Sequence, residues 1–247
     1  MTFSIVGRCA RSGMLGLAVS SSSPAVAARC AHARARVGAV STQNVTDPSL
    51  GPRSLDLMAA GRSAKEAIDK IVETAEHIEH RQLLAIGADG QTATFSGERT
   101  LGNHAAAEGT DAAAAGNLLK NQDVPSAMIQ AFAERPDDHL GDRLLRSMRA
   151  ALDAGGEAGP VHSIGMLIVD QVRWPVVDLR IDWTDEDPVS GLEAIWSLYK
   201  PQIDVYVTRA LDPDAAPSYG VPGAGAGVAS SSTGVTSSST GVTSSST

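Results

Sequence analysis

Thr2 stands at the head of the apolar run in MTFSIVGR. It reads either as the first residue of a β-strand or as a nucleophile that removal of Met1 would uncover. A hydroxyl without an adjacent base attacks poorly, so the second reading requires the α-amino group of Thr2 to be free. Other polar residues fall where strands should end. Asn117 lies in AAGNLL, where a Gly-Asn pair allows close backbone approach and offers an amide donor. Ser20 and Ser21 close the run LGLAVSS, and Gln43 and Asn44 close VGAVSTQN. Asp178 and Arg180 in VVDLRID alternate at i, i+2 on one strand face, as an ion pair or as a binder of a charged substrate end. Arg53 in LGPRSLDL fits a carboxylate binder or a surface residue at a helix start.

Several other constellations carry less. His77, Glu79 and His80 crowd one helix end without a third ligand at diagnostic spacing, so no metal site is expected. The phosphate-binding loop, the zinc-protease motif, the nucleophile elbow and a dinucleotide fingerprint are all missing, so no cofactor is expected. Cys9 and Cys30 sit in no metal or redox pattern and read as free thiols in a reducing, cytoplasmic setting.

The elements that must position these residues follow from periodicity. Thr2–Val6 and Leu15–Ser21 are β-prone and flank a turn near Arg11–Gly13, a hairpin. Val37–Gln43 is a third strand, followed by a loop through Asp47-Pro48 and Gly51-Pro52. Ser54–Gly61 and the segment capped by Ser63 and Glu66 form a helix pair. Gln82–Ala88 and Gln91–Phe95 form a hairpin, in which Asp89-Gly90 suits a tight primed turn. Ala112–Leu119 is a strand. Pro125–Ala133 and His139–Ala154 are helices, the second with Leu140, Leu144, Leu145, Met148 and Leu152 on one face. Ser163–Val169 and Val176–Asp182 are strands, and Pro188–Tyr199 is a last helix. Seven or eight strands in hairpins, with helices in segregated pairs, predict an α+β fold: two mainly antiparallel sheets stacked between two helical layers.

The chain has 247 residues, a formal net charge of −8, 43% apolar residues and only 4% aromatic ones. The balance disfavours nucleic acid or anionic membrane as a partner through bulk charge. No apolar run approaches the ~20 residues of a membrane helix. Exposed sheet edges would let two copies pair as a homodimer. Residues 1–216 are expected to form one domain. Residues 217–247, with three serine-rich seven-residue repeats, read as a low-complexity flexible tail that cannot bury enough apolar surface to fold.

MTFSIVGR, SGMLGLAVSS, RVGAVSTQNVTDPSLGPRSLDLMAAGRSAKEAI, HRQLLAIGADGQTATFSGE, AAAAGNLL and VVDLRID together resemble the DUF1028 family of bacterial proteins, grouped with the N-terminal nucleophile (Ntn) hydrolases. The resemblance covers roughly residues 2–200. Its most specific parts are TFSIV and the TQ…GPRSLDLM stretch; SSPAVAARCAHARA departs from the pattern. The resemblance implies a four-layer αββα sandwich and a cofactor-free amide hydrolase. Thr2 would be the nucleophile, its α-amino group the base and Asn117 an oxyanion donor. Ser20, Ser21, Gln43, Asn44, Arg53, Asp178 and Arg180 would line the site for a small or peptide-like amide. The alternative is a binding or assembly protein that keeps the scaffold without catalysis.

Overall fold

The alternation of side chains along a strand sorts the first seven strand residues into two faces. In the computed structural model, which describes residues 1–218, β1 (Thr2–Arg8) sends Phe3 and Ile5 to one side and Ser4 and Val6 to the other. It pairs with β2 (Leu15–Ser21) through a turn in which Cys9 and Met14 close the loop and Gly13 takes φ +79°. A short helix, α1 (Ala27–Cys30), leads to β3 (Ala31–Arg34) and β4 (Gly38–Asn44).

Two helices follow, α2 (Leu50–Ala59) and α3 (Ala64–Thr74). The capping box on Ser63 and Glu66 forms as expected. α2 starts four residues before the expected Ser54 and runs through Gly51-Pro52, a pair whose composition predicts a loop. Pro52 is the third helical residue, where the helix asks for no amide donor, so proline is tolerated there.

Strands β5 (Arg81–Gly87) and β6 (Thr92–Ser96) form the expected hairpin with a different turn. Gly90 alone has positive φ, +86°, while a primed turn needs Asp89 left-handed as well. Gly87 N–H bonds Gln91 O, leaving a three-residue loop closed by Gly90. Next come β7 (Ala105–Gly109), β8 (Ala112–Asn117), α4 (Val124–Ala133), α5 (Leu140–Asp153), β9 (Ser163–Val169), β10 (Val177–Ile181), α6 (Pro188–Tyr199) and α7 (Ile203–Leu211).

All strand pairs are antiparallel. One sheet has the order β10-β9-β2-β1-β8-β7 and the other β3-β4-β5-β6. Among the described residues ten strands replace the expected seven or eight; β3 and β7 are the additions, both at sheet edges. Helices α4, α5 and α6 bury Phe132, Leu144, Met148 and Trp196 against Phe3, Ile5 and Ile164 of the large sheet. Helices α2 and α3 bury Leu55, Ile68 and Ile71 against Val40, Leu83 and Ala85 of the small one. The inner faces meet through Val6, Leu17, Ala39, Leu84, Ile86, Ala113 and Leu167. The two sheets therefore stack face to face, each with helices on its outer side. Among the described residues no helix is long and apolar enough to cross a membrane. The tail predicted for residues 217–247 lies, beyond Ser218, outside the described residues.

Candidate active site at the head of the first strand

The apolar contact between the sheets fills only one end of the interlayer. At the other end the same inner-face positions carry polar side chains. Ser4 lies opposite Ala115, and Thr2 lies opposite Asn117. From the small sheet come Ser41 and Gln43 of β4 and Gln82 of β5, with Gln82 opposite Gln43. All of these are fully buried except Thr2, which is 5% exposed.

Burial obliges such groups to satisfy one another. Ser4 Oγ donates to Gln43 Oε1 at 2.6 Å, and Ser41 Oγ does so at 3.3 Å. Gln43 Nε2 donates to Gln82 Oε1 at 2.8 Å and to Ala115 O at 3.3 Å. Gln82 Nε2 donates to Ser96 Oγ at 3.0 Å and to Gly116 O at 3.1 Å. Asn117 Nδ2 donates to Gln82 Oε1 at 3.1 Å, which leaves Asn117 Oδ1 buried with no partner. The network ties both sheets to the strand that bears Thr2.

At the head of β1, Thr2 Oγ1 donates to the carbonyl of Met1 at 2.5 Å and lies 3.4 Å from Ser21 Oγ. Ser21 Oγ donates to the same carbonyl and is itself fixed by Ser23 N–H at 3.0 Å. Two hydroxyls therefore converge on one carbonyl oxygen beside the nitrogen of Thr2. The Met1 side chain rests against Gly159, where a Cβ would come within 3.3 Å of its Cε.

Glu157 closes this end. Its backbone bridges Leu119, just past β8, while its Oε2 accepts from Ser22 N–H at 3.2 Å, just past β2. Because β1 lies between β8 and β2, Glu157 links the ends of its two neighbours. Glu157 is 4% exposed and its Oε1 has no partner. Burial pushes its pKa up to about 7, against the opposing pull of the Met1 amino group and the bonds from Ser22. A buried carboxyl raised in this way keeps its proton in the folded chain between about pH 4.5 and 7, where the unfolded chain has lost it. Folding stability is then full below pH 4.5, falls as pH rises to about 7, and levels off above. Thermal or urea unfolding of the Met1-bearing chain is expected to show a loss of roughly 3 kcal/mol across that window, removed by Glu157→Gln. A flat profile in the native chain would contradict the assignment.

The residues singled out by sequence divide sharply. Thr2, Ser21, Gln43 and Asn117 come together. Ser20 does not: it lies opposite Phe3, on the helix-facing side, and its Oγ bonds Ser163 O at 2.9 Å. Asn44, at φ +72°, ties loops together by donating to His80 O at 2.6 Å and accepting from Leu101 N–H at 3.3 Å. Arg53 is exposed on α2, in a groove with Asp56, Lys70 and Thr74 on the far side of the small sheet. Asp178 and Arg180 form a two-bond ion pair, 2.7 and 3.0 Å, on edge strand β10, with β9 and β2 between them and β1. Their alternation produced an ordinary strand-face pair. Cys9 is buried at the opposite end of β1 from Thr2. Asn117 presents a free acceptor where a donor was expected, because its amide nitrogen is committed to Gln82. Ser4, Gln82 and Glu157 were missed. Gln82 had a signal: a long polar side chain opening the apolar run QLLAIG.

The family model described as "Family of unknown function (DUF1028)" matches residues 2–192. Among solved structures, the chain is similar to the crystal structure of protein SPO2555 from Silicibacter pomeroyi, assigned to the DUF1028 family model. The two share 27% identity at a TM-score of 0.74, over 80% of this chain and 88% of that one. Anbu, the ancestral β-subunit from Yersinia bercovieri, aligns at 12% identity and a TM-score of 0.37, over 83% of this chain and 97% of that one. No curated protein matches the chain.

Proposed function

The chain belongs to the DUF1028 family, and from the groups gathered at the head of β1 we propose that it is an Ntn-type amide hydrolase with Thr2 as nucleophile. The observation that carries this reading is the convergence of the Thr2 and Ser21 hydroxyls on one carbonyl, beside a cross-strand Asn117 with an unused acceptor. The two stacked sheets between helical layers fit the αββα sandwich that such enzymes use.

In this reading the Met1–Thr2 bond is cut, and the amide nitrogen of Thr2 becomes an amine. An α-amino group has a pKa near 8, so a useful fraction is neutral near that pH and can take the hydroxyl proton. Thr2 Oγ1 then attacks a substrate carbonyl. Ser21 Oγ–H, which already donates to a carbonyl oxygen at this spot, donates to the developing oxyanion. Asn117 Oδ1 accepts from the Thr2 hydroxyl or amine and fixes the nucleophile's rotamer. The tetrahedral intermediate collapses with cleavage of the substrate C–N bond, the Thr2 ammonium returning the proton to the departing amine. Water then hydrolyses the acyl-enzyme ester, releasing an acid and regenerating Thr2. The substrate is a small or peptide-like amide.

A second reading is a binding or assembly protein that keeps Met1. With Met1 in place the base is an amide, and the nucleophile's proton is spent on the Met1 carbonyl. Intact mass and N-terminal sequencing of the protein from its own cells separate the two. A chain that begins at Thr2 is expected; one that uniformly keeps Met1 supports the binding protein.

A further inference from the structure

The register of the large sheet places a carboxyl group beside the nitrogen of Thr2. β1 and β2 run antiparallel with Phe3 opposite Ser20. Continued one residue, the register sets Thr2 opposite Ser21, in agreement with their hydroxyl contact of 3.4 Å. The nitrogen of Ser22 then lies across from the Met1 carbonyl carbon, the atom bonded to the Thr2 nitrogen, one strand spacing of about 4.8 Å away. Ser22 N–H is the group that holds Glu157 Oε2, at 3.2 Å. The other oxygen, Oε1, is buried and takes no hydrogen bond. Removal of Met1 would take away the group across from the Ser22 amide and create a new ammonium on the next atom of β1.

We infer that Glu157 is the positioning residue of the Thr2 α-amino group: once Met1 is gone, its carboxylate binds the ammonium and exchanges a proton with it. The exchange breaks an N–H bond on Thr2 and forms an O–H bond on Glu157, turning an ion pair into a neutral carboxylic acid and a free amine. The net charge of the pair does not change, so the step suits a site closed to water. Burial supports it, because desolvation disfavours a carboxylate that stands unpaired.

Few other charges face this carboxyl. The end of β2 offers only Ser21, Ser22 and Ser23. Past β8, Lys120 is exposed, its backbone bonded to Gly156. Before β9, His162 directs Nδ1 to Thr184 O at 2.7 Å and stacks on Trp183. Cys30, whose thiol burial pushes up, feels the Met1 amino group.

The inference rests on Thr2 becoming the first residue, and its test needs no substrate. A chain that starts at Thr2 is released from a cleavable fusion. Its α-amino nitrogen and Glu157 carboxyl carbon are titrated by NMR beside the Met1-bearing chain. Glu157 is expected to titrate at least tenfold more acidic in the Thr2-first chain. In that chain Glu157→Gln is expected to lower the amine pKa by about one to three pH units, the usual effect of losing a close opposite charge. Glu157→Asp restores part of the difference. An amine pKa unchanged in Glu157→Gln, or a carboxyl that titrates no lower after Met1 leaves, overturns the inference. Should Glu157→Gln fail to fold, the carboxyl titration of the unmutated chains decides alone. Coupled titrations in a chain that hydrolyses nothing would sink the hydrolase reading and leave this one standing. Turnover without coupling would do the reverse.

Discussion

Thr2→Ala, in a chain that starts at residue 2, is expected to fold normally and to lose amide hydrolysis by about 10³-fold or more. The alanine keeps the amine and the extended backbone of β1 and removes only the atom that would attack. Thr2→Ser keeps the hydroxyl and should retain measurable turnover. A Met1-bearing chain should be as inert as Thr2→Ala, because its nitrogen is an amide. The measurements are a screen against small amides and the mass of an adduct with a β-lactone, an acylating probe for reactive hydroxyls. Labelling of the Thr2-first chain, with none in Thr2→Ala, supports the nucleophile. Equal activity in both would remove Thr2 from the chemistry and turn attention to Ser21.

The second large effect falls on stability. Gln82 is fully buried and makes four hydrogen bonds: two accepted, from Gln43 and Asn117, and two donated, to Ser96 and Gly116. Gln82→Ala takes a hydrogen bond from each of these partners between the sheets, although Gln43 keeps its bond to Ala115 O, and opens a cavity. Each orphaned buried group costs about 1–3 kcal/mol, relieved in part where water enters. A total loss on the order of 4 kcal/mol is expected, a fall in thermal midpoint of roughly 10 °C for a chain of this size. Gln82→Met separates the causes, since it fills the volume without the bonds. If methionine recovers most of the loss, packing dominates and the network contributes little. If it recovers little, the polar interlayer holds the two sheets in register.

The sequence made the main elements legible because their patterns are strong. The capping box at Ser63, the apolar stripe of α5 and the paired runs of β1, β2, β5, β6, β9 and β10 all lie where periodicity put them. What escaped was locally weak. β3 is four residues long, at a sheet edge, and alternates alanine with His32 and Arg34. β7 reads AAAEG, a poor strand former held by one neighbour, β8. α7 differs: Ile203, Tyr206, Val207, Ala210 and Leu211 fall at helical spacing, a signal that went unread, although only Ile203 is buried.

The site was half legible for a related reason. Residue type flagged Thr2, Ser21, Gln43 and Asn117 at strand ends, but type does not reveal which face a residue occupies. Ser20 and Ser21 are neighbours with opposite orientations, and only the register against β1 separates them. Glu157 could not be found locally at all. It lies in the glycine-rich run GGEAG, and its importance comes from bridging the ends of β8 and β2, strands more than ninety residues apart.

The central place of β1 in its sheet has a consequence for timing during synthesis. The bond between Met1 and Thr2 is enclosed once β8 and Glu157 have closed over it, so an enzyme that cuts it must act earlier. β2 is made almost at once and can pair with β1 within microseconds. Asn117 follows Thr2 by 115 residues, from the two positions in the chain. At the ribosome's pace of about 5–20 residues per second, that leaves a window of roughly 6–23 s before β8 is made, and Glu157 follows later still. The order in which the ribosome delivers the strands thus acts as a clock, and a chain that misses the window folds with its first amine sealed as an amide.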